Sequence, residues 1–161
     1  MLPDKAVTRA YLMLGGNIGN SEAIFESAEN YLKEHGFLCD KRSCIMKSAA
    51  VDCVPGTPDF CDRAISGLWD KSAPELLELL QQTERFFGRP ADHRSDMSRS
   101  LDCDIIFFGS QCCELPNLKI PHPRAHLRNF VLEPMSEIAP DMVHPVLKKS
   151  VKELLNELNK G

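Results

Sequence analysis

The order of apolar segments along the chain predicts an α+β fold built on a ferredoxin-like antiparallel sheet. The segments follow one another as strand, helix, strand, strand, helix, strand. Both helical segments carry start and stop residues at their ends. This order is the split βαβ pattern, which places the two main helices on one face of the sheet. We expect C-terminal additions to this core, within a single domain over residues 1–161, because 161 residues are enough for one core.

The first half of the pattern begins with a strand over residues 9–14 (RAYLML), which a Gly-Gly-Asn turn ends. Asn20 or Ser21 is expected to cap the helix that follows, and Gly36 to end it. Residues 37–47 predict a second strand and residues 60–69 a third. The segment between them contains two prolines and a glycine, so we expect a loop there. The apolar stripe of the helix comprises Ile24, Ala28, Tyr31 and Leu32.

The second half opens with a capping box, Ser72 to Glu75, with proline in the first turn. Residues 89–100 are almost entirely polar, which predicts an exposed and mobile loop. Residues 101–108 (LDCDIIFF) form the strongest strand pattern in the chain. Frequent prolines after it predict an irregular C-terminal third, with a short final helix over residues 151–158. The stripe behind the capping box comprises Leu76, Leu79, Leu80, Thr83 and Phe87, and Gly88 is its expected stop.

The composition of the chain disfavours nucleic-acid-binding proteins, membrane proteins and disulfide-stabilised proteins. A net charge of −4 disfavours nucleic-acid binding, which needs clustered cations. No stretch approaches the ~18 apolar residues of a membrane span, and no secretory signal follows Met1, so we expect a cytoplasmic protein without membrane contact. Seven cysteines, an odd number without a C-x-x-C pair, disfavour a disulfide scaffold. A zinc site built from scattered residues is the less favoured alternative to small, half-buried thiols.

The pair Asp102 and Asp104 carries the strongest chemical indication. Side chains two apart on a strand point to the same side, so both carboxylates share a face with Ile106. We expect Leu101, Cys103, Ile105 and Phe107 to face the core. Two close carboxylates favour a cation, and Mg²⁺ binds through one or two carboxylates plus substrate phosphates. The alternative is a solvated polar strand end. Arg89 and Arg99 favour a polyphosphate site, because cations near such a metal neutralise phosphate charge.

Aromatic residues indicate a place for a flat ring. Phe60 and Asp62 lie two apart on the third strand and therefore share a face, and Phe130 follows Arg128 in the C-terminal region. Two phenylalanines from different segments sandwich a ring well, with polar groups at its edge. The alternative is that both belong to the core.

Two further features are ambiguous from their residues alone. Gln81 and Glu84, three apart, lie at the flank of the second helix stripe, where a solvated helix edge is the simpler interpretation. The turn at residues 14–20 joins a strand to a helix, but it is neither a P-loop nor a G-x-G-x-x-G motif.

Five segments in the same order resemble the 6-hydroxymethyl-7,8-dihydropterin pyrophosphokinase family, over about residues 10–145. They are L-G-G-N-I-G at 14–19, P-D-F at 58–60, R-S-L-D-C-D-I at 99–105, P-H-P-R at 121–124 followed by Arg128, Phe130, Val131 and Leu132, and E-I-A-P at 137–140. The resemblance implies one pyrophosphokinase domain of folate biosynthesis. Its reaction moves the β,γ-pyrophosphoryl group of ATP to the hydroxymethyl oxygen of the pterin and releases AMP.

The resemblance also implies residue roles. Two Mg²⁺ ions are expected on Asp102 and Asp104, bridging ATP and the pterin hydroxyl, with Arg89 and Arg99 as further catalytic groups. The pterin is expected to contact Ser48, Val51, Phe60, Asp62 and Phe130. ATP is expected to contact Gln81, Glu84, Arg89, Arg99, Ile105, His122 and Arg128. The loop over residues 89–99 is expected to close over the phosphates. The implied partners are ATP and hydroxymethyl-dihydropterin, with a monomer or weak homodimer as the assembly.

Three positions depart from the family pattern. Asp62 stands where asparagine is typical, Asp96 where some members have tryptophan, and Ala91 where some have arginine. These departures leave two alternatives open. One is a catalytically impaired pterin- or nucleotide-binding homologue of the same fold, and the other is a different metal-dependent nucleotidyltransferase.

Overall fold

The sheet of the protein has the predicted ferredoxin-like topology. A computed structural model describes residues 6–17, 19–48, 59–87 and 101–160. Strand β1 (Thr8–Gly16) is central and pairs antiparallel with β4 (Phe60–Trp69) and with β5 (Asp102–Phe108). Strand β4 also pairs antiparallel with β2 (Leu38–Arg42) and β3 (Met46–Ser48). The strand order is therefore β2-β4-β1-β5, with β3 beside β4.

The two main helices begin where the sequence predicts. Helix α1 (Ser21–Glu34) follows Asn20, whose side chain accepts a hydrogen bond from the backbone N–H of Ala23. Helix α2 (Ala73–Phe87) begins with a reciprocal capping box: the Glu75 N–H donates to the Ser72 hydroxyl, and the Ser72 N–H donates to the Glu75 carboxylate. Each cap satisfies backbone donors that the first helical turn leaves without an intrahelical partner.

Two hydrophobic cores lie on opposite faces of the sheet. Alternate residues of β1 separate them, because Leu12 and Leu14 are buried in the first core and Met13 in the second. The first core packs α1 and α2 on the sheet through residues such as Phe25, Leu32, Leu76 and Leu80. The second core packs α3 (Asn129–Ile138) and α4 (Val151–Lys160) on the other face through residues such as Ala64, Leu132, Met135 and Leu154.

The predicted second strand is two strands. Residues 43–45 interrupt it between β2 and β3. Ser43 is buried there and exchanges hydrogen bonds with β4: its N–H donates to the Ala64 carbonyl, and its hydroxyl accepts from the Ala64 N–H. The Ser43 hydroxyl thus takes the place of a backbone carbonyl as the acceptor for the Ala64 N–H, and this substitution ends the regular pairing of β2 with β4.

The C-terminal third is more regular than predicted. A hairpin of β6 (Cys113–Leu115) and β7 (Leu118–Ile120) follows β5, and a 3₁₀ turn (Ala125–Leu127) precedes α3. Helix α3 contains Pro134, which removes one hydrogen-bond donor without ending the helix. The final helix is confirmed and extends two residues further than expected, to Lys160.

The predicted direction of Phe107 is wrong. The pairing of β1 with β5 shifts between Tyr11 and Leu12, so that Tyr11 faces Phe107 and Leu12 faces Ile105. Ile106 is the extra residue, and Ile106 and Phe107 consequently both join the second core. The alternation of Asp102, Cys103, Asp104 and Ile105 lies before the irregularity and is as predicted. No helix among the described residues combines the length and apolar character needed to cross a bilayer.

Candidate active site

A cleft of about 500 Å³ opens at one end of the central strands, on the face that carries α3. Strands β1, β4 and β5 supply its floor, and α3 and the segment before it supply one wall. The lining residues are Met13, Gly15, Gly16, Ser48, Phe60, Asp62, Asp102, Asp104, Ile106, His122, Arg128, Phe130 and Val131.

Sheet register brings three carboxylates to the floor of this cleft. Gly15 pairs with Asp62 on β4 and with Asp102 on β5, so these three residues form one row across the sheet. Met13, on the same face as Gly15, pairs with Asp104. Adjacent strands lie about 4.8 Å apart, which separates the backbones of Asp62 and Asp102 by roughly 10 Å.

Gly15 has no side chain, and the Asp62 carboxylate occupies the space that a side chain would fill. A Cβ at this position would lie 2.9 Å from the Asp62 Oδ1 atom, closer than such atoms approach. The Asp62 carboxylate therefore extends over the backbone of β1, towards the Asp102 side of the cleft.

Asp102 and Asp104 act on the ionisation of Asp62. Burial, and after it repulsion from Asp102 and Asp104, together raise the pKa of Asp62 from 3.8 to about 7. Burial disfavours a negative charge on Asp62, and so does the negative charge of Asp102 and of Asp104. A cation bound in the cleft would relieve this repulsion.

The donor set fits Mg²⁺ in its usual protein environment. Asp102 and Asp104 are half-buried, share one face of β5 and offer hard oxygen ligands. Within the described residues no group of three or more His, Cys, Asp or Glu forms a metal cage. Two carboxylates alone leave coordination positions for water and substrate phosphates, which is the common arrangement for Mg²⁺.

Phe60 and Phe130 are both in the cleft, as the aromatic interpretation requires. Phe60 begins β4 and pairs with Ser48 of β3, while Phe130 lies in the first turn of α3. The Arg128 guanidinium lies over the Phe130 ring, 5.4 Å from its centroid. Both rings are half-buried, so each retains surface that a ligand can cover.

His122 is positioned as a neutral hydrogen-bond donor. Its backbone N–H donates to the Ile106 carbonyl at 3.0 Å, which fixes it beside β5. Its Nδ1 atom accepts from the Arg124 N–H at 3.2 Å, so the neutral ring carries its proton on Nε2. Burial lowers the pKa of His122. The positive charges of Arg128 and Arg124 lower it further, whereas the negative charge of Asp102 raises it.

Of the other predicted ATP residues, the structure describes three, Gln81, Glu84 and Ile105, and none of these lines the cleft. Glu84 is buried and accepts the Cys103 backbone N–H at 2.8 Å, which joins α2 to β5. It is therefore not the solvated helix edge that its spacing alone suggests. Gln81 is exposed on α2, and Ile105 is buried in the first core. Val51, Arg89 and Arg99, and the departures Ala91 and Asp96, lie outside the described residues.

Five lining residues were not singled out as site residues from the sequence: Met13, Gly15, Gly16, Ile106 and Val131. Residues two apart on a strand share a face, so Met13 lies on the same face of β1 as Gly15, beside Asp104. The alternation of β5 already placed Ile106 beside the two aspartates. Only the pairing of β1 with both neighbours shows that Gly15 separates Asp62 from Asp102.

Comparison with known proteins gives one consistent family. Residues 11–140 match the sequence model described as 7,8-dihydro-6-hydroxymethylpterin-pyrophosphokinase. A 2-amino-4-hydroxy-6-hydroxymethyldihydropteridine pyrophosphokinase of Synechocystis is 34% identical over 93% of this chain and 76% of its own length. The protein of the same name in Bacillus subtilis is 35% identical over 80% of this chain and 77% of its own length.

Longer proteins contain a similar region. The mitochondrial folate synthesis bifunctional protein of Arabidopsis thaliana is 35% identical over 79% of this chain, which spans 23% of that protein. The crystal structure of Plasmodium falciparum HPPK-DHPS with pteroate matches 98% of this chain with a TM-score of 0.74 and 12% identity. This chain covers 43% of the Plasmodium chain, so the likeness supports the fold of that part alone.

Proposed function

The chain belongs to the 7,8-dihydro-6-hydroxymethylpterin-pyrophosphokinase family, and we infer from this that it transfers pyrophosphate from ATP to 6-hydroxymethyl-7,8-dihydropterin in folate biosynthesis. The observation that carries this conclusion is one cleft with two adjacent carboxylates and two separate phenylalanines. The carboxylates suit a metal-bound polyphosphate, and the phenylalanines suit a flat heterocycle. A pyrophosphokinase must bring those two ligands together.

The reaction needs positioning and charge neutralisation more than covalent help from the protein. The hydroxymethyl oxygen forms a bond to the β-phosphorus of ATP. The bond between that phosphorus and the oxygen bridging the α- and β-phosphates breaks, AMP leaves with that oxygen, and the hydroxyl proton is released.

We assign the metal site to Asp102 and Asp104. Bound Mg²⁺ would neutralise phosphate charge and lower the pKa of the attacking hydroxyl. We propose two ions, as the family resemblance implies. The chain's own contribution is to hold both carboxylates on one strand face, next to the aromatic part of the cleft.

The pterin is assigned to the Phe60 and Phe130 side of the cleft. Ser48, paired with Phe60, and Asp62 would meet its polar edge, and Val51 is assigned there by resemblance. Offset stacking on aromatic rings contributes about 0.5–1.5 kcal/mol beyond area burial, so two rings favour a planar ligand markedly.

The ATP is assigned to the His122 and Arg128 side. A protonated Nε2 and a guanidinium both donate to phosphate oxygens. Gln81, Glu84, Arg89, Arg99 and Ile105 complete this assignment by resemblance. Glu84 is buried and bonded to the Cys103 N–H of β5, and Ile105 is a buried residue of β5 itself, so both would act through the strand that carries both aspartates.

A nucleotide product assay tests the proposed function directly. With Mg²⁺ and hydroxymethyl-dihydropterin we expect AMP and pterin pyrophosphate in equal amounts, and no AMP when either is left out. ADP as product would indicate a different kinase. Pterin binding without turnover would indicate an impaired homologue. Release of pyrophosphate, with the AMP group transferred to an acceptor, would indicate a different nucleotidyltransferase. A single domain over residues 1–161, a monomer or weak homodimer and a cytoplasmic location are further proposals, which ultracentrifugation and cell fractionation test.

A further inference from the structure

One side-chain contact joins two walls of the cleft at a distance from the cleft itself. Glu137, near the end of α3, binds Cys44, which lies between β2 and β3. The Glu137 Oε1 atom accepts the Cys44 backbone N–H at 3.1 Å, and Oε2 accepts the Cys44 thiol at 3.0 Å. Both oxygens of the Glu137 carboxylate therefore accept hydrogen bonds from Cys44.

Cys44 belongs to a segment that is already fixed to the sheet. The neighbouring Ser43 is held by two hydrogen bonds to Ala64, and the Arg63 guanidinium donates to its carbonyl at 2.9 Å. Four residues after Cys44 comes Ser48, the end of β3 and part of the cleft lining. Four residues of extended chain span about 13 Å, so Cys44 is the fixed base of the strand that carries Ser48.

Glu137 lies in the corresponding position on the opposite wall of the cleft, at the end of α3 away from the cleft. It lies seven residues after Phe130 on α3, which is almost two full turns. The two side chains therefore share one face of the helix, about 10 Å apart along its axis. Helix α3 lies along β4 and β3, with its Phe130 end at the cleft and its Glu137 end at Cys44.

We propose that Glu137 is a positioning residue for the pterin subsite: by binding Cys44 it holds the α3 wall with Phe130 at a fixed spacing from the β3 wall with Ser48. This inference rests on the proposed function. The contact is exposed and lies outside both hydrophobic cores. Its loss should therefore alter the angle between α3 and β3 more than the stability of the sheet.

The chain offers matched variants on both partners. Glu137→Ala removes both hydrogen bonds, whereas Cys44→Ala removes the thiol hydrogen bond and leaves the backbone one. Glu137→Gln keeps an acceptor for the Cys44 N–H, and Cys44→Ser keeps a donor in place of the thiol. Glu133→Ala is the control, because Glu133 is exposed on the same helix and its side chain takes no part in the contact.

Steady-state kinetics on the full chain, with Mg²⁺, test the proposal. We expect the KM for pterin to rise about five- to ten-fold in Glu137→Ala, the scale of one typical net hydrogen bond, and by a smaller factor in Cys44→Ala, which keeps the backbone hydrogen bond. The KM for ATP should stay within two-fold, and Tm should fall equally little in these variants and in Glu133→Ala. Glu137→Gln and Cys44→Ser should recover most of the pterin KM, and the double alanine variant should equal Glu137→Ala.

Three results would overturn the inference. The first is an unchanged pterin KM in both alanine variants of an enzyme whose wild type forms AMP, which leaves the proposed function intact. The second is an equal rise in the KM for both substrates, and the third is failure of both conservative variants to recover the KM. If Glu137→Ala does not fold, Cys44→Ala alone decides. A wild type that forms no AMP fails the proposed function itself, and the inference with it.

Discussion

Asp62 and Asp102 face each other across Gly15, in one row of three neighbouring strands. No side chain stands between the two carboxylates, because the central residue of the row has none. Their mutual repulsion is consequently one of the causes that raise the pKa of Asp62 to about 7. The row couples the residue at the proposed pterin edge to a residue of the proposed metal site.

Replacing Gly15 with alanine should disturb this row selectively. The new Cβ would lie 2.9 Å from the Asp62 Oδ1 atom, and the short Asp62 side chain must turn away. We expect a pterin affinity about ten-fold lower with a small change in Tm, because the clash is with a side-chain terminus rather than with backbone. Calorimetric titration of the pterin with an ATP analogue measures the affinity.

The Asp62→Ala background is the control for Gly15→Ala. The clashing oxygen is absent there, so the added methyl group should have little further effect on pterin affinity. An equal loss in both backgrounds would mean that the methyl group acts on β1 itself.

Removing either carboxylate of β5 should abolish most of the activity without unfolding the chain. We expect Asp102→Ala and Asp104→Ala each to lower kcat by at least ~10²-fold, comparable to losing one preorganised electrostatic stabiliser. Both side chains lie in the cleft rather than in a core, so circular dichroism should be unchanged. Asp141→Ala, at an exposed aspartate, is the matched control. Near-full activity of either cleft variant would show that the metal assignment is wrong.

The elements that the sequence predicted well are those in which local pattern and packing agree. Helix α2 carries its capping box and its apolar stripe on the same segment, and strand β4 runs over the residues that its composition indicates. The position of Asp102 and Asp104 on one face follows from the period of two in a strand. Neither inference requires knowledge of which strands are neighbours.

The elements that the sequence missed depend on tertiary context. Prolines suggested an irregular segment where α3 lies, although Val131, Leu132, Met135 and Ile138 have helical spacing. Packing of that apolar stripe on the sheet outweighs the hydrogen bond that Pro134 cannot make. The extra residue at Ile106 depends on the pairing of β5 with β1, which one strand's sequence does not contain. For the same reason the row through Gly15 was not predicted.

The raised pKa of Asp62 gives stability a specific dependence on pH. Between about pH 4 and pH 7 the folded chain keeps a proton on Asp62 that the unfolded chain has lost. The contribution of Asp62 is therefore full below pH 4, is lost as the pH rises to about 7, and is level above that. Asp62→Asn should remove this dependence. We expect its stability relative to wild type to rise by about 1–2 kcal/mol from pH 5 to pH 8, after discounting for partial solvent exposure.

Urea denaturation in metal-free buffer measures this difference. Histidine titrations are common to both proteins and cancel in the comparison. Parallel stability curves for the two proteins between pH 5 and pH 8 would contradict the raised pKa.

The same substitution should have the opposite consequence for substrate binding. A pterin presents ring N–H and amine donors on one edge and a carbonyl acceptor nearby. An aspartate carboxylate accepts from the donors but repels the carbonyl, whereas asparagine serves both. Cations held by Asp102 and Asp104 would lower the pKa of Asp62, so the carboxylate form should prevail in the complete site. We therefore expect Asp62 to meet the donor edge.

Asp62→Asn should then weaken pterin binding by about 1–2 kcal/mol, because a charge-assisted hydrogen bond becomes a neutral one. Calorimetric titration at pH 8, with Mg²⁺ and a non-hydrolysable ATP analogue, measures the change, and the affinity for the analogue alone should stay the same. Equal or tighter pterin binding by Asp62→Asn would rule out the donor-edge contact. Tighter binding would further mean that the carboxylate hinders the pterin, at a cost that comes from its repulsion by Asp102 across Gly15.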